Sequence, residues 1–332
     1  MTARAKVAII GTGGTISSVG QHSLELAEYV NHKTIYTIEE LLAKIPEVAT
    51  VADVEPIPFA AIASTAIGPE TWLELADVIN ALPSTHPDID GVVVTHGTAS
   101  LEETAYFLNL TLTVSMPVVI VGAQRPATAI SADGPINLVN AVRTAGSPNA
   151  HGKGVLVLLN DEIHAAREVT KTSTFRMQTF RTPDFGVLGH ADADQIAFYR
   201  APLRRVAPNT SFHVSTATRL PRVDILMSYA GADGRDVDAF VQAGAKGLVV
   251  AGFAPGLLPP GQLDALNRVA DEVAIVQASR VGSGRVVPLE SMQPLDCIPA
   301  DNLTPQKARI LLMLGLTQTT DRAALREIFA TY

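Results

Sequence analysis

The chain has 332 residues, of which 47% are hydrophobic and 17% charged, and its formal net charge is −8 at pH 7. This length fits two domains better than one, and the composition predicts a compact globular protein without a long disordered tail. The acidic balance and the scattered lysines and arginines exclude a basic surface for nucleic acid.

Short β-branched runs alternate with helix-period segments through the first two-thirds of the chain. This rhythm predicts a parallel sheet with crossover helices. The predicted strands are Lys6–Ile10, Val54–Ala63, Asp90–Thr95, Pro117–Gly122 and Val155–Leu159. The predicted helices are Ile38–Ala43, Pro69–Leu82, Leu101–Thr113 and Gly134–Ala145. The polar passage Asp161–Pro208 has turn signals without strong periodicity, so we expect an excursion or linker region there.

Regular alternation returns after this passage and predicts a second, smaller α/β unit. Its predicted strands are Val223–Ser228, Gly247–Ala251 and Val273–Gln277. Its predicted helices are Val237–Ala243, Pro260–Val269, Thr304–Gly315 and a last short helix capped by Asp321. The sequence therefore predicts a larger N-terminal parallel-sheet domain over 1–200, a linker over 201–220 and a smaller α/β domain over 221–332.

The sequence gives no sign of a membrane segment or a disulfide. No apolar stretch reaches the roughly 20 residues that span a bilayer, and glycines interrupt the start before a signal-peptide core can form. We therefore expect a soluble, cytoplasmic protein. Cys297 is the only cysteine, which excludes an intramolecular disulfide and a thiolate-cluster zinc site.

The loop Gly11–Thr15, after the first predicted strand, combines glycines with hydroxyl side chains. Ligands of open parallel sheets bind beyond the carboxyl ends of the strands, where the strand order reverses. Ile16 occupies the third glycine position of the dinucleotide fingerprint and no helix pattern follows, which disfavours a phosphate site. A packing turn and a turn that presents a nucleophile both stay open.

The loop after the third predicted strand reads HGTAS. Ser100 and Glu103 predict a capping box at the start of the next helix. His96 is expected to be a buried structural hydrogen-bonding group rather than a general base. Thr98 has no comparable structural role. Lys171 is either a surface charge or, if it packs against a threonine hydroxyl, a desolvated amine that can accept the hydroxyl proton.

Five stretches carry a resemblance over practically the whole chain: GTGGTIS, THGTxSLEETAYFL, VGAQRPATAISADGPINL, NDEIHAAREVTKTSTF and TPQKARILLMLGLTQT. Together they resemble the bacterial L-asparaginase/glutaminase family of threonine amidohydrolases. The resemblance implies a hydrolase for amides of small carboxylates that uses no metal or organic cofactor. It also implies a homotetramer, a dimer of intimate dimers, whose active sites lie between the N-terminal domain of one subunit and the C-terminal domain of its neighbour.

The resemblance also assigns roles to matching residues. Thr15 matches the nucleophilic threonine that forms an acyl-enzyme. Thr98 matches the second catalytic threonine, and Lys171 matches its lysine partner. Ser64 matches the serine that holds the substrate's α-carboxylate.

A loop over Ser18–Thr37, here called the lid loop, matches the mobile loop of the family. Tyr29 is identified with the tyrosine that lies over the first threonine, and Tyr36 is the alternative. Closure of such a loop excludes water from an acyl intermediate. Backbone N–H groups of the loops that contain Gly14 and Gly97 are expected to stabilise the oxyanion.

Departures from the family pattern cluster at substrate recognition. Ala99 replaces an aspartate, Thr65 replaces a glutamine, and the run 253–256 replaces an asparagine. Because a buried ammonium without acceptors is strongly disfavoured, we expect a substrate whose α-amino group is absent or acylated. The alternative is that Glu290 or another acid from a neighbouring subunit replaces the aspartate and leaves ordinary L-asparaginase activity.

Two further expectations follow from the sequence. Without the aspartate beside it, the Lys171 ammonium loses a partner, so its pKa should be lower than in relatives that keep this carboxylate. A non-catalytic carboxylate-binding protein is a rival interpretation, although the retained Thr15, Thr98 and Lys171 argue against it. A nucleotide-dependent enzyme is disfavoured by the glycine spacing.

Overall fold

The computed structural model of the protein describes residues 4–332, apart from the side chain of residue 291. The chain divides into two compact units, the first ending at Thr216 and the second beginning at Ala217. Both units are α/β and the first is the larger, as the sequence predicts. The domain bounds given above, with their linker, stay a prediction.

The first unit alternates strands and helices as far as its fifth strand and then continues with short strands. The strands are β1 Lys6–Gly11, β2 Asp53–Ile57, β3 Gly91–Thr95, β4 Val118–Val121, β5 Val155–Leu159, β6 Glu162–Ala165, β7 Thr170–Lys171, β8 Phe180–Arg181, β9 Gly189–Ala191 and β10 Ile196–Phe198. The helices are α1 Ile38–Lys44, α2 Val48–Val51, α3 Pro69–Thr85, α4 Leu101–Thr111 and α5 Gly134–Ala145.

Eight of these strands form one sheet in the order β10-β9-β6-β5-β4-β3-β1-β2. The run β2-β1-β3-β4-β5 is parallel throughout, and every residue of β3 is buried. Strand order reverses between β1 and β3, the place where parallel sheets with this order bind ligands. The parallel sheet with crossover helices predicted from the sequence is confirmed.

Both faces of the parallel sheet are covered. Alternate strand residues such as Val7, Val93 and Leu156 pack into one core with helices α1, α2 and α5. Ala8 and Val92 point to the opposite face and are also fully buried. Burial on two faces explains why these strands read as nearly continuous apolar runs.

The passage Asp161–Pro208 is not an irregular excursion, and this expectation is wrong. β6, β9 and β10 extend the main sheet as antiparallel strands, while β7 and β8 form a separate two-stranded ribbon. These strands have only two to four residues, too few for an alternating pattern to emerge in the sequence.

The second strand is shorter than its apolar run, since β2 ends at Ile57. Prolines at 56 and 58 punctuate this run, and β2 is an edge strand, where proline is tolerated. The remainder of the run forms a loop in which Ile62 N donates to Thr12 O at 2.9 Å. This loop leads to Ser64.

The second unit has a single parallel sheet in the order β11-β12-β13-β14. Its strands are β11 Val223–Met227, β12 Gly247–Gly252, β13 Ala274–Ser279 and β14 Ile298–Pro299. Its helices are α6 Arg235–Gln242, α7 Pro260–Val269, α8 Pro305–Gly315 and α9 Arg322–Thr331. Asp321 caps α9 as predicted, because its carboxylate accepts from Ala324 N at 2.8 Å. Across residues 4–332, no helix is both long and apolar enough to cross a membrane.

Candidate active site

Two glycine loops leave the sheet side by side where the strand order reverses. One follows β1 and the other follows β3, and these strands are parallel neighbours. The buried Thr12 joins the loops, since both its backbone N–H and its hydroxyl donate to Thr95 O, at 3.1 and 2.8 Å. The topology therefore brings together two segments that lie about eighty residues apart in the sequence.

The glycines of these loops allow the backbones to touch. Gly14 has a φ of +91°, and a Cβ on it would lie 2.3 Å from the Cα of Gly97. A Cβ on Gly97 would lie 2.5 Å from the Ser64 hydroxyl oxygen. Only glycine fits both positions. The close packing of these glycine loops therefore brings Thr15, Thr98 and Ser64 next to one another.

Thr15 is in contact with the lid loop. Its hydroxyl lies 2.9 Å from the Tyr29 hydroxyl, and Tyr29 is nearly buried in a short 3₁₀ helix. Tyr36 instead packs against the core, with the Lys44 ammonium 4.6 Å from its ring centroid. Of the two tyrosines considered from the sequence, Tyr29 is therefore the one beside the predicted nucleophile. Its catalytic role stays a prediction.

Thr98 is paired with Lys171, which comes from the β7 ribbon. Lys171 Nζ donates to Thr98 Oγ1 at 2.8 Å. Burial lowers the pKa of Lys171, while the Glu102 carboxylate opposes this change. The sequence left two alternatives for Lys171, a surface charge or a desolvated amine packed against a threonine hydroxyl. The structure shows the second arrangement. The comparison of its pKa with that of relatives stays a prediction.

These groups line one cavity of about 450 Å³ in the first unit. Its lining residues are Gly14, Thr15, Ser18, Tyr29, Val30, Lys33, Thr34, Ile35, Ala63, Ser64, Thr65, Thr98, Ala99 and Lys171. All the predicted site residues line it except Gly97, which supports Gly14 and Ser64 from behind. Two of the fourteen residues are cationic and none is acidic.

The capping box predicted at the start of α4 is absent. The Ser100 side chain makes no capping hydrogen bond and instead donates to Ser64 O at 2.6 Å. The loop that carries Ser64 passes close to this helix, and the Ser100 hydroxyl donates to its carbonyl oxygen rather than accepting from a backbone N–H of the first turn. Ser100 therefore fixes the segment that presents Ser64 to the cavity.

His96 is a structural residue, as expected. It is fully buried, with Nδ1 2.8 Å from Gly97 O and Nε2 2.9 Å from the Thr104 hydroxyl. Because Trp72 Nε1 donates to that hydroxyl, Thr104 donates to Nε2 and the His96 proton lies on Nδ1. Burial lowers the pKa of His96 to about 4.

Acidification is expected to destabilise the first unit through His96. Between its ordinary pKa of 6.5 and its folded value of about 4, the unfolded chain binds one more proton. The stability is fully present above pH 6.5 and falls by about 3 kcal/mol as the pH drops to 4. Urea unfolding followed by the fluorescence of Trp72, the single tryptophan, measures this change.

The matched variant is His96→Gln, which keeps one donor and one acceptor but does not titrate. Other groups titrate equally in both proteins, so the variant should lose less stability between pH 7 and pH 4.5 than the wild type. Equal losses in the two proteins would contradict the assignment.

Two contacts in the site were not anticipated from the sequence. Glu102 accepts from the backbone N–H of Lys171 at 3.1 Å, and the Thr98 hydroxyl donates to Gln124 Oε1 at 3.4 Å. Glu102 carries a weak sequence signal, because it occupies the first turn of the helix that follows Thr98. Glu290 and the run 253–256 lie in the second unit, and their part in a site stays a prediction.

In this doubly wound α/β unit, two threonine hydroxyls lie at the switch point, one against the Tyr29 hydroxyl and one against the Lys171 ammonium. The family description "Asparaginase, N-terminal" matches residues 6–204, and "Glutaminase/Asparaginase C-terminal domain" matches residues 222–329. The chain belongs to the asparaginase/glutaminase family, which confirms the resemblance found in its motifs.

Individual relatives agree with this assignment over nearly their full length. "L-asparaginase 2" of Bacillus subtilis is 44% identical over 331 residues, with 98% of this chain and 86% of the relative covered. "Probable L-asparaginase periplasmic" of Haemophilus influenzae is 40% identical, with 98% and 93% covered. The crystal structure of "Probable Cytoplasmic L-asparaginase" from Campylobacter jejuni superposes with a TM-score of 0.94 at 42% identity, covering 99% of this chain and all of that one.

Proposed function

We propose that this chain hydrolyses the side-chain amide of a small carboxylate through a covalent acyl intermediate on Thr15. The observation that supports the proposal is the pairing of two threonine hydroxyls with titratable side chains in one cavity: Thr15 with the Tyr29 hydroxyl at 2.9 Å, and Thr98 with Lys171 Nζ at 2.8 Å. A threonine hydroxyl is a weak nucleophile unless a base takes its proton. Membership of the asparaginase/glutaminase family supports the same reaction class.

The reaction has two halves. In the first, Thr15 Oγ1 bonds to the amide carbon, its proton passes by way of Tyr29 to the leaving nitrogen, and the C–N bond breaks to release ammonia. In the second, water attacks the acyl-enzyme, the pair of Thr98 and Lys171 takes a proton from it, and the ester bond breaks. Thr15 regains its proton and the carboxylic acid leaves. Backbone N–H groups beside Gly14 and Gly97 stabilise the oxyanion of each half.

The charges of the cavity support an acidic amide without a free α-ammonium as the substrate. Lys33 and Lys171 are its two charged lining residues, and Ala99 and Thr65 carry no charge. The ammonium of L-asparagine would face the cationic Lys33 and no carboxylate of this cavity, whereas a carboxylate on Ser64 would be favoured. L-asparagine remains the alternative substrate, supported by the name of the Bacillus subtilis relative, L-asparaginase 2. In that case an acid outside this cavity would hold the ammonium.

Ala99→Asp is expected to shift the preference toward L-asparagine. A new carboxylate at this position gives the ammonium a counter-charge, worth about tenfold or more in kcat/KM relative to a substrate that lacks it. The comparison substrate is succinamate, which is L-asparagine without its α-amino group. The ratio of the two kcat/KM values is measured on each enzyme, so that changes in the chemical step common to both substrates cancel.

Ala99→Asn is the matched control, since it has the same size without the charge and should leave the ratio nearly unchanged. If the wild type already hydrolyses L-asparagine best and Ala99→Asp does not alter the ratio, the altered substrate is wrong and ordinary L-asparaginase activity stands.

The proposal includes a homotetrameric assembly and a cytoplasmic location. The homotetramer rests on the family resemblance alone. A cytoplasmic location is supported by the description of the Campylobacter jejuni protein, while the Haemophilus influenzae relative is named as periplasmic. Both therefore stay predictions for this chain.

A further inference from the structure

We infer that Glu102 is a positioning residue for the reaction, which holds Lys171 against Thr98 and serves as its carboxylate partner. Glu102 lies in the first turn of α4 and is 8% exposed. Its Oε1 accepts from Lys171 N at 3.1 Å and from the Thr170 hydroxyl at 3.2 Å. The inference rests on the proposed function, because it assigns Glu102 a task through Lys171.

The geometry shows why Lys171 needs such a restraint. β7 consists of Thr170 and Lys171 alone, and its partner strand β8 is equally short. Two residues in an isolated ribbon have little intrinsic order. Glu102 binds both residues of β7, while Lys171 Nζ reaches Thr98 immediately before the same helix. These contacts tie the lysine at its backbone to α4 and at its ammonium to the loop that precedes α4.

The charges around Lys171 single out Glu102. From the paired strand, Arg181 is exposed and bonds to Gln178. From the lid loop, Lys33 and the hydroxyl of Tyr29 line the same cavity. From α4, Glu102 contributes the carboxylate that favours the Lys171 ammonium against the effect of burial. Because position 99 is an alanine and carries no carboxylate, the negative charge that acts on Lys171 comes from Glu102.

Glu102→Gln separates the charge from the hydrogen bonds. Gln keeps an oxygen that accepts from both residues of β7, but it no longer stabilises the ammonium. The ascending limb of kcat/KM against pH is therefore expected to move about one unit lower, and the plateau should fall less than tenfold. Glu102→Ala loses the restraint as well, and its plateau should fall about a hundredfold. Glu102→Asp keeps the charge, so its limb should stay near that of the wild type.

The control for loss of charge is Glu103→Gln, one residue along the same turn, which should not move the limb. A second readout does not depend on turnover: the pH dependence of Lys171 acetylation by acetic anhydride, followed by peptide mass spectrometry, reports its protonation directly. Glu102→Gln should shift this titration downward by about one unit as well.

Superposition of the Glu102→Gln and wild-type curves in both measurements would overturn the inference. A lowered plateau with an unmoved limb and unmoved acetylation would also overturn it, since that is the mark of a structural role alone. Failure of the proposed function looks different: no amide is turned over, yet the acetylation of Lys171 still titrates and still reports whether Glu102 governs it.

Discussion

Replacement of Thr15 by alanine is expected to lower kcat by about 10⁴-fold or more while leaving the fold intact. Loss of the nucleophile removes the covalent route, and residual activity comes only from binding and oxyanion stabilisation. The side chain is partly exposed and bonds to the Tyr29 hydroxyl, so the free energy of unfolding should change by less than about 1 kcal/mol. Steady-state assays with succinamate and L-asparagine, together with urea unfolding, measure the two effects.

Thr15→Ser is the matched control, because it keeps the hydroxyl and should retain far more activity than the alanine variant. Acid quenching of the wild type during turnover should trap the acyl group on the peptide that contains Thr15, visible as a mass increase. Retention of a tenth of the wild-type kcat by Thr15→Ala would refute the assignment. Wild type without turnover on any amide, but with carboxylate binding unchanged by Thr15→Ala, would support the non-catalytic interpretation instead.

The parallel core could be predicted closely because its strands are buried on both faces. Helices α5 and α7 begin and end where the sequence predicts, and β5 does as well. Prolines in the first turn, Pro135 in α5 and Pro260 in α7, mark two of these starts. The antiparallel end of the sheet could not be predicted, because β9 and β10 have three residues each and owe their formation to pairing with neighbours.

The candidate site could be predicted in its parts and not in its connections. The glycines before Thr15 and Thr98 mark the loops, since close backbone approach leaves a sequence signal. The choice between Tyr29 and Tyr36 depends on the path of the lid loop, which no local pattern encodes. Glu102 and Ser100 illustrate the same limit. Both lie at the start of α4, where the sequence predicts a cap by Ser100 and assigns no role to Glu102, yet their partners come from distant segments.

Lys171→Met is expected to lower kcat by about 10³-fold and to abolish the ascending limb of the pH profile. Burial lowers the pKa of Lys171 from its ordinary value of 10.5, so the neutral amine gains population as the pH rises through the lowered pKa. A general base contributes roughly 10²- to 10⁴-fold, and Met fills similar space without a proton acceptor. The profiles of kcat and of kcat/KM between pH 5 and pH 10 measure the two effects.

Lys171→Arg decides whether Lys171 acts as a base or only as a cation. Arginine keeps the positive charge and can donate to the Thr98 hydroxyl, but it does not deprotonate in proteins. If Lys171 accepts a proton, Lys171→Arg should be as impaired as Lys171→Met. Activity within tenfold of the wild type in Lys171→Arg would mean that the positive charge is what the reaction needs. The ascending limb of the wild type would then belong to another group, and the proton from water would have to leave by way of Tyr29, which also contacts Thr15.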